Sequence, residues 1–439
     1  MARLKPTERV AITGLGIICP LGNDVETFWQ AILAGKNGMG RNTIFDASTF
    51  PTTFDAEVKN YDFSKYTSQP HLHGFCSRGS GFTIGATVQA CRQGRIDVES
   101  TSPGDDIDRT RLGIYLGAGE GSIDNETFFA SLAAGWDTNT DSMDWGKWTK
   151  VSLAGLKPTY ELEEEPNMAA AHIALLTGAR GPVRSCLTAC AASTQAIGEA
   201  TMLIRRGDAD VMITGGAHSM IHPMGVTGFN RLTALSTRND SPQTACRPFS
   251  AGRDGFVLGE GAAILILESL TSAQRRGMKV LAEIVGYGSS SDAFRVTDMH
   301  EHARGPIQAM NAALIDAGIS YKDIDYINTH GTGTAENDSI ETLAIKEVFK
   351  ERAKSIPASS VKSMLGHLIG AAGAAETIAS VLAIRDGVVP PTINLNDPDP
   401  NLDLDYVPNK PRKMTVNMVM KESFGFGGQN NVVIIKRYE

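Results

Sequence analysis

Short apolar runs alternate along the chain with segments whose apolar residues recur every three to four positions. That alternation predicts strands interleaved with amphipathic helices, the pattern of a layered α/β protein. Strands are predicted over 9–18, 112–117, 182–189, 209–215 and 262–268, and helices over 26–34 and 191–206. In the helix over 191–206, Ala196, Ala200, Leu203 and Ile204 share one face, which the period assigns to the core. From about residue 273 a second half repeats the rhythm, with strands over 279–288, 324–329 and 432–436 and helices over 307–317 and 368–385. Gly387, with Pro390 and Pro391 beyond it, closes the last of these helices. The shared rhythm suggests an internal duplication into 1–272 and 273–439, although residue-level similarity between the halves is faint. Residues 136–150, rich in Trp, Asp, Asn and Thr, and the acidic run 161–165 break the pattern and predict a surface excursion over about 136–165. The 397–405 segment resembles a calcium loop but lacks the glycine and the final bidentate glutamate, so it is expected to be a solvated turn.

Composition narrows the class. With 439 residues, 42% hydrophobic and 21% charged, the chain can bury one large core or two ordinary ones. A net charge of −8 with no obvious basic face argues against a nucleic-acid partner. Six cysteines without metal-type spacing imply neither a zinc module nor a disulfide framework, so a reducing, cytoplasmic setting is expected. No apolar run approaches the ~18 residues of a membrane span. The 10–19 stretch could pass for the apolar part of a signal peptide, but its glycines and the turn after it fit a buried first strand better.

The candidate chemistry lies at strand ends. Cys190, in Thr188-Ala189-Cys190-Ala191-Ala192-Ser193, stands where a strand meets a helix, a position where the helix dipole and free N–H groups favour a thiolate. Cys91, Cys186 and Cys246 have no such setting. His330 opens the glycine-containing stretch His330-Gly331-Thr332-Gly333-Thr334 at the end of a predicted strand, where α/β proteins bind ligands. Lys362 and His367 precede a helix of small residues, which places both beside buried space, where a lysine needs a counter-charge; Glu341 is a candidate partner. Ser423-Phe424-Gly425-Phe426-Gly427-Gly428 sets an aromatic between glycines, free to swing and to offer its N–H to a ligand.

Taken in order, these motifs, with Ser236–Asp240, Arg247-Pro248-Phe249 and Arg253–Glu260, resemble those of the elongating β-ketoacyl-acyl-carrier-protein synthases, closest to the type II enzymes, over nearly the whole chain. The resemblance implies a thiolase-like fold of two pseudo-equivalent halves in αβαβα order, a homodimer, and a partnership with acyl carrier protein. It implies decarboxylating Claisen condensation of a cysteine-bound acyl group with a malonyl thioester, without metal or redox cofactor. Cys190 would be the nucleophile, His330 and His367 the pair serving decarboxylation, and Lys362 with Glu341 the buried support. Phe426 would gate the acyl group and share an oxyanion hole with the Cys190 N–H, while Thr332 and Thr334 would hold the malonyl arm.

Several positions depart from that family. Glu120 stands where an aliphatic residue lines the acyl tunnel, which implies a shorter or more polar acyl group, or a Glu120 turned to the dimer interface. Residues 69–74 lack the usual basic docking residues, leaving Arg205, Arg206, Arg231 or Arg238 for the carrier, and Gln429 replaces a threonine. The alternatives are a ketosynthase of a specialised polyketide-type pathway and a non-catalytic chain-length subunit, although the latter lacks the nucleophile. A thiolase would need a second cysteine beyond Cys246, an initiating synthase would use Cys-His-Asn, and a dinucleotide enzyme would need a complete G-x-G-x-x-G.

Overall fold

The computed structural model describes residues 8–118 and 124–439. The first half contributes β1 (Val10–Ile18), α1 (Arg78–Gly94), β2 (Leu112–Gly117), β3 (Val183–Cys186), α2 (Ala192–Arg205), β4 (Val211–His218) and β5 (Gly261–Ser269). The second contributes β6 (Ala282–Ser291), α3 (Arg304–Ala317), β7 (Tyr326–Asn328), α4 (Ala335–Phe349), β8 (Ala358–Ser359), α5 (Ala372–Asp386), β9 (Met418–Gly425) and β10 (Gln429–Lys436).

These strands join in one ten-stranded sheet in the order β8-β7-β9-β10-β6-β1-β5-β4-β2-β3. The order is mirrored about the central antiparallel pair β1–β6, where Val10 lies opposite Ile284. In each half the two outer pairings are parallel and the two inner ones antiparallel. Helices α2 and α5 pack against each other and against strands of both halves, whereas α1 covers β1 and β5 and α3 covers β6 and β10. The result is the layered thiolase-type arrangement.

Close backbone approach explains the glycines of β1. A Cβ on Gly14 would lie 2.2 Å from the Ala90 carbonyl oxygen, and one on Gly16 would lie 1.9 Å from that of Ala86, so α1 rests directly on the strand. Every residue of α5 from Ala372 to Ile384 is buried, as a helix packed on α2 and on strands of both halves must be. The predicted strand over 182–189 ends at Cys186, because the chain turns there to reach the helix. The 136–163 region is ordered: a hairpin pairs Trp136–Asp137 with Ser142–Met143, and helices Trp145–Gly155 and Pro158–Glu163 follow. In the 397–405 turn, Asp399 pairs with Arg253, Asp403 with Lys346 and Lys354, and Asp405 with Arg412.

Candidate functional site

Cys190 lies in a short 3-10 turn, Ala189–Ala191, directly ahead of α2. Ala189 takes a left-handed φ of 47°, a conformation that costs a non-glycine residue about 1 kcal/mol or more. That turn lifts the thiol to the mouth of the helix. Burial outweighs the helix end, however: it pushes the Cys190 thiol up to about 12, although the Lys362 charge and the Phe426 N–H pull the other way. Burial therefore favours the protonated thiol over the thiolate that its helix position predicts.

Cys190 Sγ and ring nitrogens of His330 and His367 all lie within 4.8 Å of one another. The two rings meet edge to face with centroids 5.4 Å apart. Their tautomers follow from their neighbours. Lys362 Nζ stands 3.3 Å from His330 Nδ1, and an ammonium only donates, so Nδ1 accepts and Nε2 carries the proton. The Ile369 N–H donates to His367 Nδ1 at 3.2 Å, which assigns the His367 proton to Nε2 as well. His367 Nε2 has no partner among the described residues. Burial, reinforced by Lys362, holds both imidazoles well below the usual histidine value, so they stay neutral donors.

Lys362 is 1% exposed, and its counter-ion is Glu376, not Glu341. It also donates to the His330 carbonyl at 2.6 Å. Glu376 lies one turn into α5, facing β9, where it also meets Lys421 at 2.8 Å. Glu341 serves the backbone instead, accepting from the N–H groups of His330 at 2.5 Å and Gly331 at 2.7 Å and from Asn337 Nδ2 at 3.2 Å. It fixes the strand-end loop from below, and burial pushes it up to about 7. Glu422 beside it is driven well above the usual carboxylate range by burial and by Glu341, so it holds its proton. The signal for Glu376 was present in the sequence, as a single acidic residue inside an otherwise apolar and small-residue run from 370 to 384.

Two cavities meet at the thiol. One of about 720 Å³ has a largely apolar wall that includes Met220, Met224, Phe229, Leu232 and Ile369. The other, about 320 Å³, is lined by His330, His367, Thr332 and Thr334. Cys190, Leu232 and Phe426 border both. Phe426 sits in the turn of the β9–β10 hairpin, where Gly427 and Gly428 adopt φ of 84° and 72°. Thr332 and Thr334 share a hydroxyl contact of 2.9 Å, and Thr334 caps α4. Glu120 falls outside the described residues. The Cys-His-His cluster has donor atoms suited to a soft cation, but the ammonium of Lys362 beside His330 opposes a second positive charge there. Among the described residues no helix is long and apolar enough to cross a membrane.

Comparison with known proteins agrees over the full chain. The family model described as "Beta-ketoacyl synthase, N-terminal domain" matches residues 7–273, and "Beta-ketoacyl synthase, C-terminal domain" matches residues 281–396. The chain is 41% identical over 436 residues to the 3-oxoacyl-[acyl-carrier-protein] synthase 2 of Staphylococcus aureus (strain COL), covering 99% of this chain and 100% of that protein. It is 42% identical over 433 residues to the protein of the same name from Coxiella burnetii, covering 98% of each. Among solved structures, a β-ketoacyl synthase from Burkholderia phymatum superimposes with a TM-score of 0.86 at 31% identity, over 99% of this chain and 100% of that one. A type II polyketide ketosynthase, solved in complex with its acyl-carrier protein and bound to a hexaketide, gives 0.84 at 32% identity, over 98% and 100%.

Proposed function

The chain belongs to the β-ketoacyl synthase family, and from that premise we propose how its own residues carry out decarboxylating condensation on acyl carrier protein. Cys190 Sγ attacks the acyl thioester, the acyl group moves to the sulfur, and the thiol proton leaves on the carrier's thiol. The proton balance of that exchange does not require a thiolate at rest. The malonyl thioester then occupies the smaller cavity, its arm beside Thr332 and Thr334. The Nε2–H groups of His330 and His367 donate to its thioester oxygen as CO₂ departs and the electron pair moves into the enolate. The enolate carbon attacks the Cys190 thioester. The N–H groups of Cys190 and Phe426 hold the tetrahedral oxyanion, which collapses to the β-ketoacyl thioester, and the released sulfur recovers a proton from water.

One observation carries this reading: a sulfur and two buried imidazoles within 4.8 Å, both rings held as Nε2–H tautomers. Lys362 and Glu376 act as positioning residues for His330, Glu341 supports its loop, and Phe426 gates passage between the cavities. The proposal extends to a homodimer working in the cytoplasm, with the division into halves near residue 273. For the carrier, Arg205 is engaged by Asp316, Arg206 by Asp208 and Arg238 by the Gly252 carbonyl, which leaves Arg231, exposed beside Leu232 at the mouth of both cavities. The decisive experiment is intact-mass analysis after mixing with an acyl thioester. A mass gain that maps to Cys190 supports the reading, and no adduct with any acyl donor overturns it.

A further inference from the structure

His218 ends β4 and lines the large cavity, yet nothing above gives it a task. It is 3% exposed, and neither Nδ1 nor Nε2 has a hydrogen-bond partner among the described residues. A neutral imidazole always presents one N–H donor and one lone pair, and burying either unpaired costs about 1–3 kcal/mol. The cavity lining does not repay that cost: Met220, Met224, Phe229, Leu232 and Ile369 offer no side-chain oxygen or N–H, and the polar Thr188 and Gln429 make no hydrogen bond to the ring. Its place along the cavity is also defined. His218 is near enough to His367 to help depress that ring's basicity, and His367 touches the thiol cluster. His218 and Cys190 line the same cavity, so the unpaired ring nitrogens stand on a wall that an acyl chain held by the sulfur passes.

Building on the acyl-cysteine reading, we propose that His218 selects an acyl group carrying oxygen, a hydroxyl or keto group, within the first few carbons from the thioester, over a plain saturated chain. A hydroxyl can accept from the ring N–H or donate to the unprotonated ring nitrogen, whereas a keto oxygen can only accept from the N–H. A methylene in the same place leaves both nitrogens unpaired, and sites with polar groups so deprived reject the poorer ligand strongly.

The test compares the rates at which hexanoyl, 3-hydroxyhexanoyl and 3-oxohexanoyl coenzyme A acylate Cys190, read by intact mass. In each case the acyl group passes from the coenzyme's sulfur to Sγ and the thiol proton passes to coenzyme A. The wild-type chain is expected to favour at least one oxygenated donor by about tenfold or more. His218→Leu is expected to bring that ratio to near one, while His218→Gln, which keeps a donor and an acceptor, retains most of it. A wild-type ratio near one overturns the proposal, as does an undiminished ratio in His218→Leu. Absence of adducts from all three donors strikes instead at the assignment of Cys190, so the two failures are distinguishable.

Discussion

The turn that opens α2 and the turn that opens α5 are the same piece of backbone used for different ends. Each is a three-residue 3-10 turn whose first residue has a left-handed φ, 47° at Ala189 and 42° at Ile369. Counting along both puts Cys190 opposite Gly370 and, six residues on, Ala196 opposite Glu376. Ala196 is ordinary core, whereas Glu376 bridges two buried lysines. Leu187, opposite His367, is half exposed and lines the large cavity. The backbone device occurs twice: one turn carries Cys190, and the other leads into Glu376 with His367 just ahead of it. The Cys190–His330–His367 cluster draws its members from both sides of the fold.

Making the two turns alike at their tips breaks the comparison most sharply. Cys190→Gly should lower condensation by about 10⁴-fold or more, measured by the appearance of the β-ketoacyl thioester, with the thermal melt retained. Next comes the ionic difference: Glu376→Ala strands Lys362 and Lys421, and urea denaturation should record a loss of about 3–5 kcal/mol. A loss below 1 kcal/mol would mean that Glu376 is no more structural than its counterpart Ala196. Third, because burial holds the Cys190 thiol near 12, its ionised fraction rises as pH approaches that value from below. Alkylation by iodoacetamide should therefore accelerate about tenfold per pH unit between 7 and 9, and a plateau by pH 8 would contradict the buried-thiol picture. The smallest effect tests the shared backbone. Ala189→Gly relieves the left-handed strain but frees the unfolded chain, for a net gain of about 0.5 kcal/mol, visible as a small rise in melting temperature.

Much of this was legible before folding. Strands 9–18, 112–117 and 262–268 and the helix 191–206 stand within a residue or two of the observed elements, because their periods are set by burial on known faces. Helix α1 escaped the pattern: Gly79, Gly81 and Gly85 lower its propensity, and it is held by contact with the glycines of β1, which no local signal records. Cys190, His330, Lys362 and His367 all stand out in the sequence near the end of a predicted strand or ahead of a predicted helix, and the structure gathers them into one cluster. The Lys362 counter-ion was misassigned because several buried glutamates compete for it, and only the three-dimensional path shows Glu341 committed to backbone N–H groups. His218 gave no warning, since a histidine closing a strand ordinarily finds a partner.

Where α2 and α5 cross, a side chain on Gly373 would stand 2.0 Å from Thr194 Oγ1, and the Ser193 hydroxyl fills the gap by accepting from the Ala374 N–H at 3.0 Å. Ser193 and Gly373 are counterparts in the two copies, so the vacancy in one is the room occupied by the other. The same bulky residue cannot occupy both positions. Two like helices that cross this closely have to differ at their point of contact, with a hydroxyl on one side and no side chain on the other.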